Sequence, residues 1–333
     1  MISIFNLHMK VHAPRFWFEP PSLLSRLLQP AAFLYNGISK FLRGRVISQK
    51  MSVPVICVGN VVVGGSGKTP VVRALIQHLQ TLGLTPHIIS RGYGGYLRGP
   101  LRVDPAIHTL GEVGDEPLML SPIAPIWVAK DKVAGATAAI AAGATVLILD
   151  DGLQNPSLHK DINFLVVDAS RALGNEQVMP AGPLREPVED ALSKTTAIIW
   201  IGSGHDALRN QLAKQKPLLL CAATTVATKG DINGKRLLAF CGLGNAQKFY
   251  DGLAAQGATI IKTANFPDHY VWSTFEIRGL LDEANALNAI LVTTAKDAVR
   301  IPQSLREDII ICDVELQFAD VAALQAQLCA LKP

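Results

Sequence analysis

The chain has 333 residues, 49% hydrophobic and 17% charged, a composition too apolar for intrinsic disorder and long enough for two packed domains. Its 31 basic and 27 acidic side chains leave a net charge of +4, too small a surplus to imply nucleic acid as a partner. Cys57, Cys221, Cys241, Cys312 and Cys329 form no CxxC pair or metal-like spacing, so they read as buried free thiols of a cytoplasmic protein.

No cleavable signal pattern opens the chain, and no apolar run reaches the roughly 20 residues that a spanning helix needs. Residues 14–44 read as an amphipathic segment: Ser22 can cap it, Leu23, Leu24, Leu27, Leu28, Phe33, Leu34, Ile38, Phe41 and Leu42 recur at near-helical spacing, and Pro30 is expected to kink it. Arg15, Arg26, Lys40, Arg43, Arg45 and Lys50 accompany it, against the single acid Glu19. Such a segment can lie in a membrane interface with its basic residues toward anionic headgroups, or pack on the protein's own core. The pattern alone allows both.

From Val53 onward, apolar runs alternate with helical stretches. Strands are expected at 53–59, 86–90, 126–129, 145–150, 162–168 and 197–202, each nearly continuous in its apolar character. That pattern marks strands buried on both faces of a mostly parallel sheet. A second α/β set follows Pro217, with strands in LLLCAATTVA, RLLAFCGLG, ATIIKTA, AILVTT and DIIICDVEL and helices near 246–256 and 274–287. The expected organisation is an N-terminal membrane-associating segment (1–50), a sheet domain (51–215) and a smaller α/β domain that closes over the site (216–333).

The sharpest local signal is GNVVVGGSGKTP, residues 59–70, between a strand and a helix. This is the context of a phosphate-cradling P-loop, against the alternative of a chance glycine-rich turn: Gly64, Gly65, Ser66 and Gly67 would bring backbone N–H groups to phosphate oxygens, Lys68 would reach the β/γ-phosphates and Thr69 would ligate Mg²⁺. The usual first glycine of that loop is Val62 here. Asp150 and Asp151 stand at the tip of the 145–150 strand, where P-loop enzymes hold Mg²⁺, although Asp-Asp-Gly is also good turn chemistry. Asp115 in VGDEP could accept a proton from an attacking hydroxyl, and His269 in FPDHY or Arg185 and Glu186 in AGPLREP could serve catalysis. For each of these four, a solvated loop residue, a packed histidine or a surface ion pair is the ordinary role.

The ordered series GNVVVGGSGKTP, SRGYGG, GDEP, LDDGLQ, AGPLREP, FCGLGNAQKFYDGL, FPDHY and KDAVR resembles the tetraacyldisaccharide 4′-kinase family, the lipid A 4′-kinases of Gram-negative bacteria. The resemblance implies a P-loop NTPase-like α/β fold with a second, smaller α/β domain and an amphipathic N-terminal helix. It implies ATP-dependent phosphorylation, with Mg²⁺, of the 4′-hydroxyl of a tetraacyldisaccharide 1-phosphate at the cytoplasmic face of the inner membrane. It also implies that Asp115 is the base assisted by His269, that Lys68 and Arg185 stabilise the transferring phosphoryl group, and that Thr69, Asp150, Asp151 and Glu186 organise Mg²⁺ and the P-loop. The expected partners are the glycolipid and the membrane surface, with no nucleic acid and no obligate protein. Asn155, Lys160 and Ala295 depart from the family pattern, where histidine, arginine and glutamate are usual. Two other classes compete: a P-loop switch or metal-insertion NTPase, whose lysine before the glycine pair is Val63 here, and a membrane-surface module with a vestigial nucleotide site, which the intact Lys68 and Thr69 oppose.

Overall fold

The computed structural model describes residues 13–65, 67–216, 218–228, 231–243, 246–267 and 270–331. In chain order the strands are β1 (Val55–Gly59), β2 (Pro86–Ser90), β3 (Leu101–Arg102), β4 (Ile126–Val128), β5 (Val146–Asp150), β6 (Ile162–Asp168), β7 (Ala197–Ile201), β8 (Leu219–Thr228), β9 (Arg236–Cys241), β10 (Thr259–Asn265), β11 (Ile290–Thr294) and β12 (Ile310–Phe318). They form one twelve-stranded sheet in the order β10-β9-β11-β12-β8-β7-β6-β1-β5-β2-β4-β3. Only the β8–β12 and β3–β4 pairs are antiparallel.

Alternate residues of each central strand enter opposite cores. Ile56, Val58, Ile148, Phe164 and Ile199 pack on one face with Leu75, Ile76 and Leu79 of the Lys68–Thr81 helix. Val55, Cys57, Leu147, Leu165 and Trp200 pack on the other with Ala136 and Ala139 of the Lys132–Ala141 helix. Each of those large apolar side chains contributes on the order of 1.5–3 kcal/mol on burial. This two-sided burial is why the strands read as continuous apolar runs.

The second half has its own pair of cores, one holding Leu237, Ala239 and Leu253 and the other Phe240, Trp272 and Ile277. Its sheet continues that of the first half, because β8 pairs with β7 on one side and β12 on the other. The chain's final helix, Val321–Cys329, returns to the first half, where Leu324 and Leu328 join the core of Leu75.

At the N-terminal end, helix Leu23–Leu27, capped by Ser22, is followed by helix Gln29–Gly44. Pro30 corrects the expected kink: it sits in the first turn of the second helix, where no intrahelical N–H is needed, and the break falls at Leu28. The apolar stripe is not core. Leu23, Leu27, Phe33, Leu34 and Phe41 are between 59% and 82% exposed. Among the described residues, no helix is long and apolar enough to cross a membrane.

Candidate active site

The sheet places β1, β5, β6 and β2 with their carboxyl ends along one edge, the position where open α/β sheets bind ligands. After Gly59 the chain runs through the fully buried Asn60 into the glycine-rich loop. Residues 61–63 are held by a second loop: the Val63 N–H donates to the Pro183 carbonyl at 2.9 Å and the Arg185 N–H to the Val61 carbonyl at 2.7 Å. This pairing explains a valine at the usual glycine position, because Val62 is buried in a short bridge with Leu184. It also carries the AGPLREP segment to the loop.

Gly67, at φ +74°, turns the chain into the Lys68–Thr81 helix, and a side chain there would meet Ile201 at 2.8 Å. Lys68 and Thr69 open this helix, whose amino end attracts anions. The Lys68 Nζ donates to Asn60 Oδ1 at 3.1 Å and lies 3.6 Å from Asp151 Oδ1. Ser66 lies outside the described residues, as does His269.

Asp150 ends β5 beside Val58 of β1 and is 4% exposed. Burial pushes its carboxyl up to about 7, with Glu116 adding to the rise and Lys68 opposing it. Among the described residues no donor hydrogen-bonds this carboxylate. Asp151 adopts φ +55°, and both its oxygens accept from Arg185 Nη1, at 2.8 and 2.9 Å. Burial alone would raise Asp151, but Lys68 and Arg185 outweigh it and hold its carboxyl below the usual range. Glu186 is fully buried: Oε2 accepts from Arg43 at 2.8 Å and Lys194 at 2.5 Å, and Oε1 from Gln154 at 3.2 Å.

Asp115 begins the helix Asp115–Leu120 and is 7% exposed. Gly114 before it has φ +87°, and a side chain there would collide with the Tyr93 carbonyl, so the SRGYGG segment is the wall against which the Asp115 turn is pressed. The Asp115 carboxylate pairs with Arg300, a 2%-exposed guanidinium that also holds Asp297 at 3.1 Å. Burial also raises the neighbouring Glu116, with Lys68 opposing and Asp115 adding.

Four contributors escaped sequence reasoning. Asn60, Gln154 and Arg300 lie inside motifs already noticed, but their roles depend on partners far away in the chain. Lys132 had a positional signal, since it follows β4 at the same sheet edge and opens a helix capped by Asp131. It is 5% exposed, its Nζ has no hydrogen-bond partner among the described residues, and burial lowers its pKa to about 8 against the pull of Asp150. At two of the departing positions, Lys160 donates to the Gly152 and Leu153 carbonyls at 2.7 and 3.1 Å, and Asn155 accepts from Ser157.

The donor set suits a hard cation shared with a ligand. Among the described residues, no three acid, histidine or cysteine side chains cluster as a self-sufficient metal site. Asp150, a buried carboxylate near enough to Lys68 for that cation to oppose its rise, is the kind of carboxylate that Mg²⁺ takes together with phosphate oxygens and water.

The raised Asp150 carboxyl has a pH signature. Between the ordinary value of 3.8 and about 7 the folded protein keeps a proton that the unfolded chain has released, so stability from this group is full below 3.8, falls through that window and is flat above it. The Tm difference between wild type and Asp150→Asn, measured without metal from pH 4.5 to 8, is expected to shift in favour of the variant as pH rises to about 7. A difference independent of pH would contradict the assignment.

The family model for tetraacyldisaccharide-1-P 4′-kinase matches residues 24–332. A tetraacyldisaccharide 4′-kinase of Rhodospirillum centenum is 46% identical over 327 residues, covering 96% of this chain and 96% of that protein. Its counterpart from Dinoroseobacter shibae is 45% identical over 328 residues, covering 96% and 97%. Among solved structures, a crystal structure of LpxK from Aquifex aeolicus in complex with ATP superposes with a TM-score of 0.73 at 26% identity, covering 93% of this chain and 99% of that one. With the family model matched over residues 24–332 and relatives matched over nearly their whole length, the chain belongs to the tetraacyldisaccharide-1-P 4′-kinase family.

Proposed function

We propose that residues 64–69 cradle Mg-ATP while Asp115 receives the 4′-hydroxyl of a tetraacyldisaccharide 1-phosphate, so that the γ-phosphoryl group passes in line to that oxygen. Membership in the family makes the chain an ATP-dependent kinase of lipid A biosynthesis. The observation that carries the residue assignments is the ion-paired chain Lys68–Asp151–Arg185, which lines up two cations and a carboxylate at the mouth of the phosphate loop.

Phosphoryl transfer asks the protein for position and charge compensation, with little covalent work. Lys68 and Arg185 neutralise charge on the transferring group, and Lys132, a buried cation with no hydrogen-bond partner among the described residues, is poised to add a third. Asp115, fixed by Arg300, orients the acceptor hydroxyl and takes its proton. His269 is the family's expected assistant in that step. Thr69 and Asp150 would hold Mg²⁺, which would supply charge neutralisation to the phosphates. Glu186, with its oxygens committed to Arg43, Lys194 and Gln154, organises the loop from behind and is not a metal ligand in this proposal.

A division near residue 215 into a core and a smaller lobe, with the final helix returning to the core, is compatible with a site completed by closure. Arg300 of the second half grips Asp115 of the first, and Arg73 pairs with Asp313. Incubation with Mg-ATP and tetraacyldisaccharide 1-phosphate in micelles tests the reaction: the lipid gains the mass of one phosphate at the 4′ position, and chelation of Mg²⁺ stops it. Phosphate appearing elsewhere on the lipid, or unaffected by chelation, would refute this scheme.

The exposed stripe of the N-terminal helices, flanked by Arg26, Lys40 and Arg45, supports peripheral seating on the cytoplasmic face of the inner membrane. Since each exposed apolar side chain is worth on the order of 1.5–3 kcal/mol when buried, replacing Leu27, Phe33 and Leu34 together by serine is expected to weaken vesicle binding at least ~10-fold. Tm should hardly move, because none of the three is core. Normal sedimentation with anionic vesicles would remove the interfacial role.

A further inference from the structure

The Gln29–Gly44 helix presents its apolar side chains to solvent, yet its last turn reaches inward. Arg43 donates from Nη1 to Glu186 Oε2 at 2.8 Å, and from Nε to the Ser39 carbonyl at 3.2 Å. Glu186 is 0% exposed, so its charge depends on partners, and it has two cations: Arg43, whose side chain is 20% exposed, and Lys194, at 39%.

From Glu186 a continuous set of hydrogen bonds runs to the phosphate loop. Gln154 Nε2 donates to Glu186 Oε1 at 3.2 Å and to the Asn60 carbonyl at 2.9 Å, while Gln154 Oε1 accepts from Arg185 at 3.4 Å. Asn60 in turn spans the loop: Oδ1 accepts from Lys68 at 3.1 Å and Nδ2 donates to the Val62 carbonyl at 2.5 Å. Asn60 is fully buried, so any loss of order at Gln154 reaches the lysine that meets phosphate without water taking its place.

We propose that Arg43, on the helix assigned above to the lipid surface, is a positioning residue for the nucleotide site, acting through Glu186 and Gln154 on Asn60 and Lys68. Without Arg43, Glu186 is held by Lys194 alone, its other oxygen drifts from Gln154, and the Asn60 carbonyl and Arg185 lose a fixed partner. The helix that faces the membrane and the loop that faces ATP thus share one buried carboxylate. The proposal rests on residues 64–69 binding ATP.

The test is Mg-ATP affinity of the full chain by calorimetry, with Tm recorded for each variant. As with other supporting residues behind a binding site, R43A is expected to weaken the Kd by about tenfold, with R43K lying between R43A and wild type. In a double-mutant cycle, R43A/Q154A should bind no more weakly than the weaker single variant, because both act on one chain of contacts. A purely structural role would lower Tm and leave Kd unchanged. Wild-type Kd in a folded R43A, or single effects that multiply in the double variant, overturns the proposal. Where R43A does not melt cooperatively, R43K and Q154A carry the test, and wild-type Kd in both overturns it. Lys68→Ala separates the two readings: if wild type and Lys68→Ala bind alike, the ATP-site assignment itself fails.

Discussion

Lys68→Ala is expected to lower kcat/KM for lipid phosphorylation by at least ~1000-fold, the scale set by loss of a cation that stabilises a transferring phosphoryl group. Lys68 is poorly replaceable for three reasons visible at once. Its Nζ is tied to Asn60, it offsets Asp151 at 3.6 Å, and it is the chief cation opposing the rise of Asp150 and Glu116. Truncation leaves a cluster of acids facing an anionic ligand, so affinity for Mg-ATP falls along with turnover. Steady-state assays on lipid in micelles, with circular dichroism to confirm folding, measure the loss. A folded variant within tenfold of wild type would place the phosphate elsewhere.

Asp115→Asn should separate chemistry from binding. A positioned proton acceptor contributes roughly 10²–10⁴-fold, so kcat is expected to fall on that scale while the Kd for Mg-ATP changes little. The substitution preserves shape, and Arg300 keeps its second carboxylate, Asp297, at 3.1 Å, so no buried guanidinium is left wholly uncompensated. Pre-steady-state transfer and calorimetric ATP binding decide the matter. Equal losses in the two would mean that Asp115 supports the nucleotide site and not the hydroxyl.

The fold was legible where burial is two-sided. PHIIS and INFLVVD match β2 and β6 residue for residue, because a strand covered on both faces is nearly continuous in its apolar character and is bounded by the polar residues Ser90 and Asp168 at its carboxyl end. β3 escaped: its two residues pair with β4 without any apolar signature. The joining of both halves into one sheet escaped as well, since nothing local marks β8 as the strand that turns from parallel pairing with β7 to antiparallel pairing with β12. The amphipathic segment was recognisable, but only the structure shows its stripe to be solvent-facing.

The site divides in the same way. Lys68, Thr69 and Asp150 sit at strand and helix termini, positions that a chain-order reading can locate. Arg300, Gln154 and Asn60 matter through partners 185, 32 or 8 residues away, a distance that periodicity does not encode. Lys132 lies between: its place after a parallel strand was visible, but the burial that leaves its Nζ without a hydrogen-bond partner among the described residues was not.

The P-loop and Asp115 are proposed to serve one reaction whose acceptor is a lipid hydroxyl. Partition of the label from γ-labelled Mg-ATP between tetraacyldisaccharide and inorganic phosphate, in mixed micelles and with Lys68→Ala alongside, tests it most directly. Label is expected in the lipid, with little free phosphate, and in neither for the variant; label released as inorganic phosphate with the lipid unmarked would overturn the lipid-kinase assignment.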